Sequence, residues 1–157
     1  MIDITAHFPF IMYTEEKPMT VFHSYSTQDT ENFACDLAKR INGGTVVALY
    51  GGLGMGKTAF TRGLAKGLGN DSYVSSPTFA LVNDYGGNPQ LVHFDMYKVE
   101  SWEDLYSSGF FDYYDMGAVL CTEWSENIEN ALPENTVRVR IEKGENDNER
   151  IITVEGV

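Results

Sequence analysis

The run Val46-Val47-Ala48-Leu49-Tyr50-Gly51-Gly52-Leu53-Gly54-Met55-Gly56-Lys57-Thr58 constrains this chain more than any other stretch, because an apolar strand-like segment leads straight into Gly-x-x-x-x-Gly-Lys-Thr. That pattern describes a phosphate-binding loop. Gly51, Gly52, Gly54 and Gly56 let the backbone adopt restricted conformations and turn successive N–H groups toward an anion. Phe60, Leu64 and Leu68 then recur every four residues, which predicts a helix whose positive end lies beneath the phosphates. Lys57 reaches the β and γ phosphates and the Thr58 hydroxyl ligates Mg²⁺, while Gly52, Leu53, Gly54, Met55, Gly56 and Ala59 complete the cofactor cradle. A Gly-rich turn before an ordinary helix is disfavoured by the full pattern in its strand, loop and helix setting.

A chain of 157 residues fits one domain with a sizeable core. Residues 1–20 have no clear period and read as an N-terminal extension; 21–157 read as the phosphate-loop domain. No apolar stretch approaches the roughly 20 residues that span a bilayer, and the start lacks a basic region followed by a long apolar one. These features predict a cytoplasmic protein without membrane contact. Eleven Lys and Arg stand against 23 Asp and Glu, a net charge of −12 that argues against free-standing binding to nucleic acid. Cys35 and Cys121 form no Cys-x-x-Cys pair, so neither a disulfide framework nor a zinc site is expected.

Along the chain, residues 21–25 suggest a short edge strand. Ser26 with Asp29 resembles a capping box for a helix over 26–41, striped by Phe33, Leu37 and Ile41. The apolar run Phe79-Ala80-Leu81-Val82 and the run Leu91-Val92-His93-Phe94 flank the turn signal Gly86-Gly87-Asn88-Pro89. So short a connection makes them antiparallel neighbours, because a parallel return needs a crossover of about a dozen residues or more. The fold class is therefore α/β: a single P-loop NTPase-like domain with a mixed parallel and antiparallel central sheet flanked by helices. Asp95 follows the second run and is placed to hold Mg²⁺. His93 reads as a hydrogen-bonded core residue. A helix is expected over 100–108, with Trp102, Leu105 and Tyr106 on one side. Residues 118–122 form a further strand ending in Glu123 and Trp124; Glu123 completes a metal site or orients water, and Trp124 lies where it can touch nucleotide. Alternation over 137–141 and the apolar run within 150–154 predict a terminal hairpin that extends the sheet.

Together these motifs resemble the bacterial TsaE (YjeE) family of ATPases of tRNA threonylcarbamoyladenosine biosynthesis. Its carriers are the phosphate loop, Ser76-Pro77-Thr78-Phe79, His93-Phe94-Asp95-Met96-Tyr97 and Glu123-Trp124, in that order. The resemblance implies weak ATPase activity with ATP/ADP and Mg²⁺, exerted as an accessory to a TsaD-like transferase and its TsaB-like companion. It implies that tRNA is met only through that complex. Carried over, Lys57 holds phosphates, Thr58 and Asp95 serve Mg²⁺, Glu123 supports metal binding or hydrolysis, and Ser76, Pro77 and Thr78 form a nucleotide-sensitive switch loop. Thr30 matches a family threonine near the nucleotide. Lys98 departs from the family's usual arginine and cannot reproduce a bidentate fork.

Two other classes compete. A small-molecule P-loop kinase needs an acceptor site and usually an arginine-rich lid, and residues 124–128 contain no arginine. A GTP-dependent switch is disfavoured by the missing Asn-Lys-x-Asp pattern.

Overall fold

The computed structural model describes residues 17–77 and 81–157. Seven strands, β1 (Met19–Ser24), β2 (Val46–Tyr50), β3 (Val82–Gly86), β4 (Leu91–Asp95), β5 (Val119–Glu123), β6 (Val137–Lys143) and β7 (Arg150–Glu155), form one sheet in the order β1-β7-β6-β2-β5-β4-β3. The four inner strands β6, β2, β5 and β4 run parallel, and β3, β7 and β1 pair antiparallel at the margins. Every residue of β2, β4 and β5 is buried. That is why these strands read as continuous apolar runs in the sequence, as strands covered on both faces must.

The two faces carry separate cores. Val47 and Leu49 pack with Ala34, Leu37, Phe60 and Leu64 beneath α1 (Thr27–Ala38) and α2 (Lys57–Gly67). Val46 points the other way, joining Phe94, Leu105, Phe110, Leu120 and Ile128 under α3 (Trp102–Ser107), α4 (Phe110–Asp115) and a 3₁₀ segment, Ser125–Ala131. Ser26 caps α1 by accepting from the Asp29 N–H at 3.0 Å, and the Asp29 carboxylate accepts from the Tyr25 N–H at 2.9 Å. This reciprocal pair fixes the entry of α1 as the sequence suggests.

Several features depart from the expectations: α1 ends at Ala38 rather than at residue 41, and β3 begins only at Val82, where the apolar run 79–82 ends. The first strand starts at Met19, where it pairs with Glu155, two residues ahead of the predicted start. The helix expected over 100–108 is confined to α3, because Ser101 caps it by accepting from the Asp104 N–H; of its apolar residues only Leu105 is buried, Trp102 and Tyr106 being exposed. The terminal hairpin does extend the sheet, but through β6 alongside the phosphate-loop strand β2, so it also borders the candidate site.

One close approach escaped sequence reasoning. A Cβ built on Gly63 would lie 2.2 Å from the Glu31 carbonyl oxygen, and one on Gly67 would lie 2.3 Å from that of Cys35. The bare backbone of α2 therefore rests on α1 opposite Ala34 and Ala38. Cys121, on β5, is fully buried and its thiol contacts the Thr61 hydroxyl at 3.4 Å. Burial pushes this thiol up to about 12, against the opposing pull of the Thr61 bond. A thiol reagent at pH 8 is therefore expected to label Cys35, which is partly exposed, and to reach Cys121 only after denaturation. Two labelled thiols in the native protein would contradict this packing.

Candidate functional site

Asp95 and Glu123 are the last residues of β4 and β5 and face each other as register partners. On the other side of β5, Ala48 of β2 pairs with Thr122, and β2 delivers Gly51. Three adjacent parallel strands thus bring the loop and both carboxylates to one edge, the position where open α/β sheets build their sites.

Within the loop, Gly51 must be glycine for space: a Cβ there would stand 2.6 Å from the Ile141 carbonyl oxygen of β6. Gly56 must be glycine for conformation, since it enters α2 at φ 107°. It offers no side-chain cap to the first N–H groups of α2, which lack intrahelical partners by geometry and suit an anion instead. Lys57 is buried, and its Nζ donates to the carbonyls of Gly51 at 2.6 Å and Gly52 at 2.9 Å. The ammonium is held over the loop by neutral acceptors, an arrangement that can be traded for phosphate oxygens. Leu53 forms the exposed tip, and Met55 is half-buried against the α1–α2 core.

Thr30 lies beside the loop. It lines an open cavity of about 320 Å³ with Tyr25, Gly54, Gly56, Ala59 and Arg150, and its hydroxyl bonds the Ser24 hydroxyl at 2.8 Å. Of the expected switch residues, Ser76 and Pro77 are described and Thr78 lies outside the described residues; the Leu81 N–H donates to the Pro77 carbonyl at 2.8 Å. The Leu81 carbonyl then accepts from the Asp95 N–H at 2.8 Å, so the segment is joined through Leu81 to Asp95 itself. Leu81 sits at φ 62°, a conformation that side chains rarely adopt.

On the carboxylate side, Asp95 Oδ1 accepts from the Tyr97 N–H at 2.9 Å, and Glu123 Oε1 lies 3.0 Å from Nε2 of the fully buried His93. Trp124 is left-handed at φ 55°, starts the 3₁₀ segment and sets its half-exposed ring 4.9 Å from that of Tyr97. Asn127 donates to the carbonyls of Met96 and Tyr97, tying together the connections that follow β4 and β5. Lys98 is exposed and lines a cavity with Tyr97 and Trp124.

A second network was not foreseen. The Tyr50 hydroxyl donates to Glu129, Arg138 donates to the same carboxylate from Nε and Nη2, and the Arg140 guanidinium lies 5.2 Å from the Tyr50 ring centre. Burial raises the Tyr50 hydroxyl well above its ordinary value, and the Glu129 bond adds to the shift. Burial works to raise the Glu129 carboxyl too, but its bonds to Tyr50 and Arg138 hold it below the usual range. The alternation of Arg138 and Arg140 with apolar residues reads as an ordinary solvent-facing strand, so only the sheet order reveals that Arg140 borders the loop, lining a cavity with Gly51 and Gly52.

The donors match a magnesium–nucleotide ligand. The loop offers backbone N–H groups at the helix start, a buried lysine side chain and the Thr58 hydroxyl, and the Asp95 and Glu123 carboxylates supply oxygens of the type a hard cation takes. Among the described residues no group of three or more His, Cys, Asp or Glu side chains can hold a metal ion. No helix among the described residues is long and apolar enough to cross a membrane.

Comparison with known proteins agrees with this architecture. Residues 24–152 match the family described as threonylcarbamoyl adenosine biosynthesis protein TsaE. The tRNA threonylcarbamoyladenosine biosynthesis protein TsaE of Treponema pallidum (strain Nichols) is 38% identical over 118 residues, covering 75% of this chain and 87% of that relative. The protein of the same description from Bacillus subtilis (strain 168) is 36% identical over 138 residues, covering 87% and 85%. The crystal structure of Bacillus subtilis YdiB superposes with a TM-score of 0.75 at 29% identity, covering 90% of this chain and 88% of that one. The phosphate loop, the mixed sheet and these matches together make the chain a member of the TsaE family of threonylcarbamoyl adenosine biosynthesis proteins.

Proposed function

We propose that this chain binds ATP with Mg²⁺ in the loop from Gly51 to Ala59, hydrolyses it slowly, and so sustains the threonylcarbamoyladenosine modification of tRNA by a TsaD-like transferase with its TsaB-like companion in the cytoplasm. The observation that carries this reading is the juxtaposition of Asp95 and Glu123 as register partners, with Glu123 on the strand next to the phosphate-loop strand and Asp95 on the one beyond it. When bound, Mg²⁺ neutralises charge that spreads over the phosphoryl oxygens. Lys57 binds phosphate oxygens, Thr58 and Asp95 hold the ion, and Glu123 completes its shell or orients the attacking water. Thr30 and Trp124 border the nucleotide, and Ser76, Pro77 and Thr78 report its state to Asp95 through Leu81. A net charge of −12 fits contact with tRNA through partners rather than directly.

Asp95→Asn and Glu123→Gln test the roles assigned to the carboxylates. Each is expected to lower the rate of ATP hydrolysis by at least about tenfold, as loss of a metal ligand or water-orienting group does, while thermal melts stay within a few degrees of the parent. Unchanged hydrolysis in both variants would overturn the assignment, and wholesale unfolding would mean that the carboxylates serve the fold.

A further inference from the structure

We infer that His93 is a positioning residue for Glu123: its Nε2–H holds one carboxylate oxygen so that the other faces the phosphate site in a fixed orientation. The inference rests on the nucleotide reading above and deepens it, because that reading leaves His93 without a role.

The geometry comes first. His93 sits in the interior of β4, two residues before Asp95, and the two side chains share one face of the sheet. Glu123 is the register partner of Asp95, yet its Oε1 hydrogen-bonds the His93 ring at 3.0 Å. The bond therefore draws the Glu123 carboxylate back along the sheet toward His93. Both partners are nearly excluded from water, with side-chain exposures of 0% and 8%, so the bond is not competing with solvent.

The second observation is an unmet hydrogen-bonding group. His93 Nδ1 is the buried side-chain nitrogen or oxygen without a partner among the described residues. A carboxylate only accepts, so the bond to Glu123 places a hydrogen on Nε2, and Nδ1 is left without a partner. Leaving a buried polar group unmade costs stability, and an apolar side chain of similar size would fill this interior position without that cost. Packing alone thus gives no reason for an imidazole here. The bond to Glu123 does, because a carboxylate next to a reacting phosphate is useful only in the orientation that reaches metal or water.

The test compares His93→Leu with His93→Gln. Leucine fills the core without a donor, whereas the glutamine amide places an N–H near the position of Nε2. His93→Leu is expected to keep its melting temperature within a few degrees and to bind ADP as the parent does. Its kcat for ATP should fall about tenfold with little change in KM, the effect of a loosened outer contact. His93→Gln should recover most of that loss. Independently of activity, ¹⁵N–¹H spectra of the imidazole in the parent protein should show a hydrogen on Nε2.

A folded His93→Leu variant with parental kcat would overturn the inference, as would a parent spectrum without a hydrogen on Nε2. If leucine prevents folding, His93→Gln against the shorter His93→Asn decides, and equal kcat in those two would overturn it. Should the parent protein not hydrolyse ATP at all, the nucleotide reading fails; the spectrum still shows whether Nε2 carries the hydrogen that the bond to Glu123 needs, and its absence would then remove both.

Discussion

Lys57→Ala is expected to weaken ATP binding by about 10- to 100-fold. Hydrogen bonds from a charged donor are worth about 1.5–3 kcal/mol, and each 1.4 kcal/mol is a factor of ten in affinity. The buried Nζ is already poised over the loop by the carbonyls of Gly51 and Gly52, so little ordering stands between it and a phosphate. Truncation removes the charge and also leaves those two carbonyls without their donor. Titration calorimetry with ATP and Mg²⁺ measures the loss directly. A dissociation constant equal to that of the parent would mean that the loop does not hold phosphate through this lysine.

Gly63→Ala should destabilise the fold by about 1–3 kcal/mol, the usual cost of overpacking. Two effects oppose each other at this position. Alanine favours a helix interior over glycine by about 1 kcal/mol. Its Cβ, however, would lie 2.2 Å from the Glu31 carbonyl oxygen and 2.7 Å from the Ala34 Cβ, and the first of these is backbone that cannot step aside without moving α1. The clash wins, and because α1 borders the loop at Thr30, separation of the two helices also disturbs the cavity between them and the loop. For a domain of this size the melting temperature should fall by roughly 2–12 °C. A variant that melts at or above the parent would show that α1 and α2 are not in such close contact. Gly63→Leu carries the same argument further, and no cooperative melt is expected from it.

Local chemistry made much of this architecture readable. The loop glycines, the serine cap of α1 and the short turn between β3 and β4 each act over a few residues, and each stands where the sequence puts it. The carboxylates at the ends of β4 and β5 were readable for the same reason, since a polar residue that closes a buried apolar run marks a strand end. What escaped depends on contacts between distant segments. The pairing of β6 with β2 joins positions some 90 residues apart, and no local signal reports it. The Tyr50–Glu129–Arg138 network follows from that pairing and was hidden with it. Gly63 and Gly67 sit on a helix face that looks merely permissive in one dimension; only the second helix shows that their lack of a side chain is required. His93 reads correctly as a hydrogen-bonded core residue, but its partner Glu123 is 30 positions away and becomes visible only across the β4–β5 ladder.

Under the proposed function, nucleotide turnover at this site sustains a separate TsaD-like transferase. The most direct test is multiple-turnover threonylcarbamoyladenosine formation on tRNA by reconstituted TsaD-like and TsaB-like partners, with this protein and ATP, with the Lys57→Ala variant, and without the protein. Repeated turnover that needs both the protein and an intact Lys57 is the predicted result. Equal turnover in all three reactions would contradict the account.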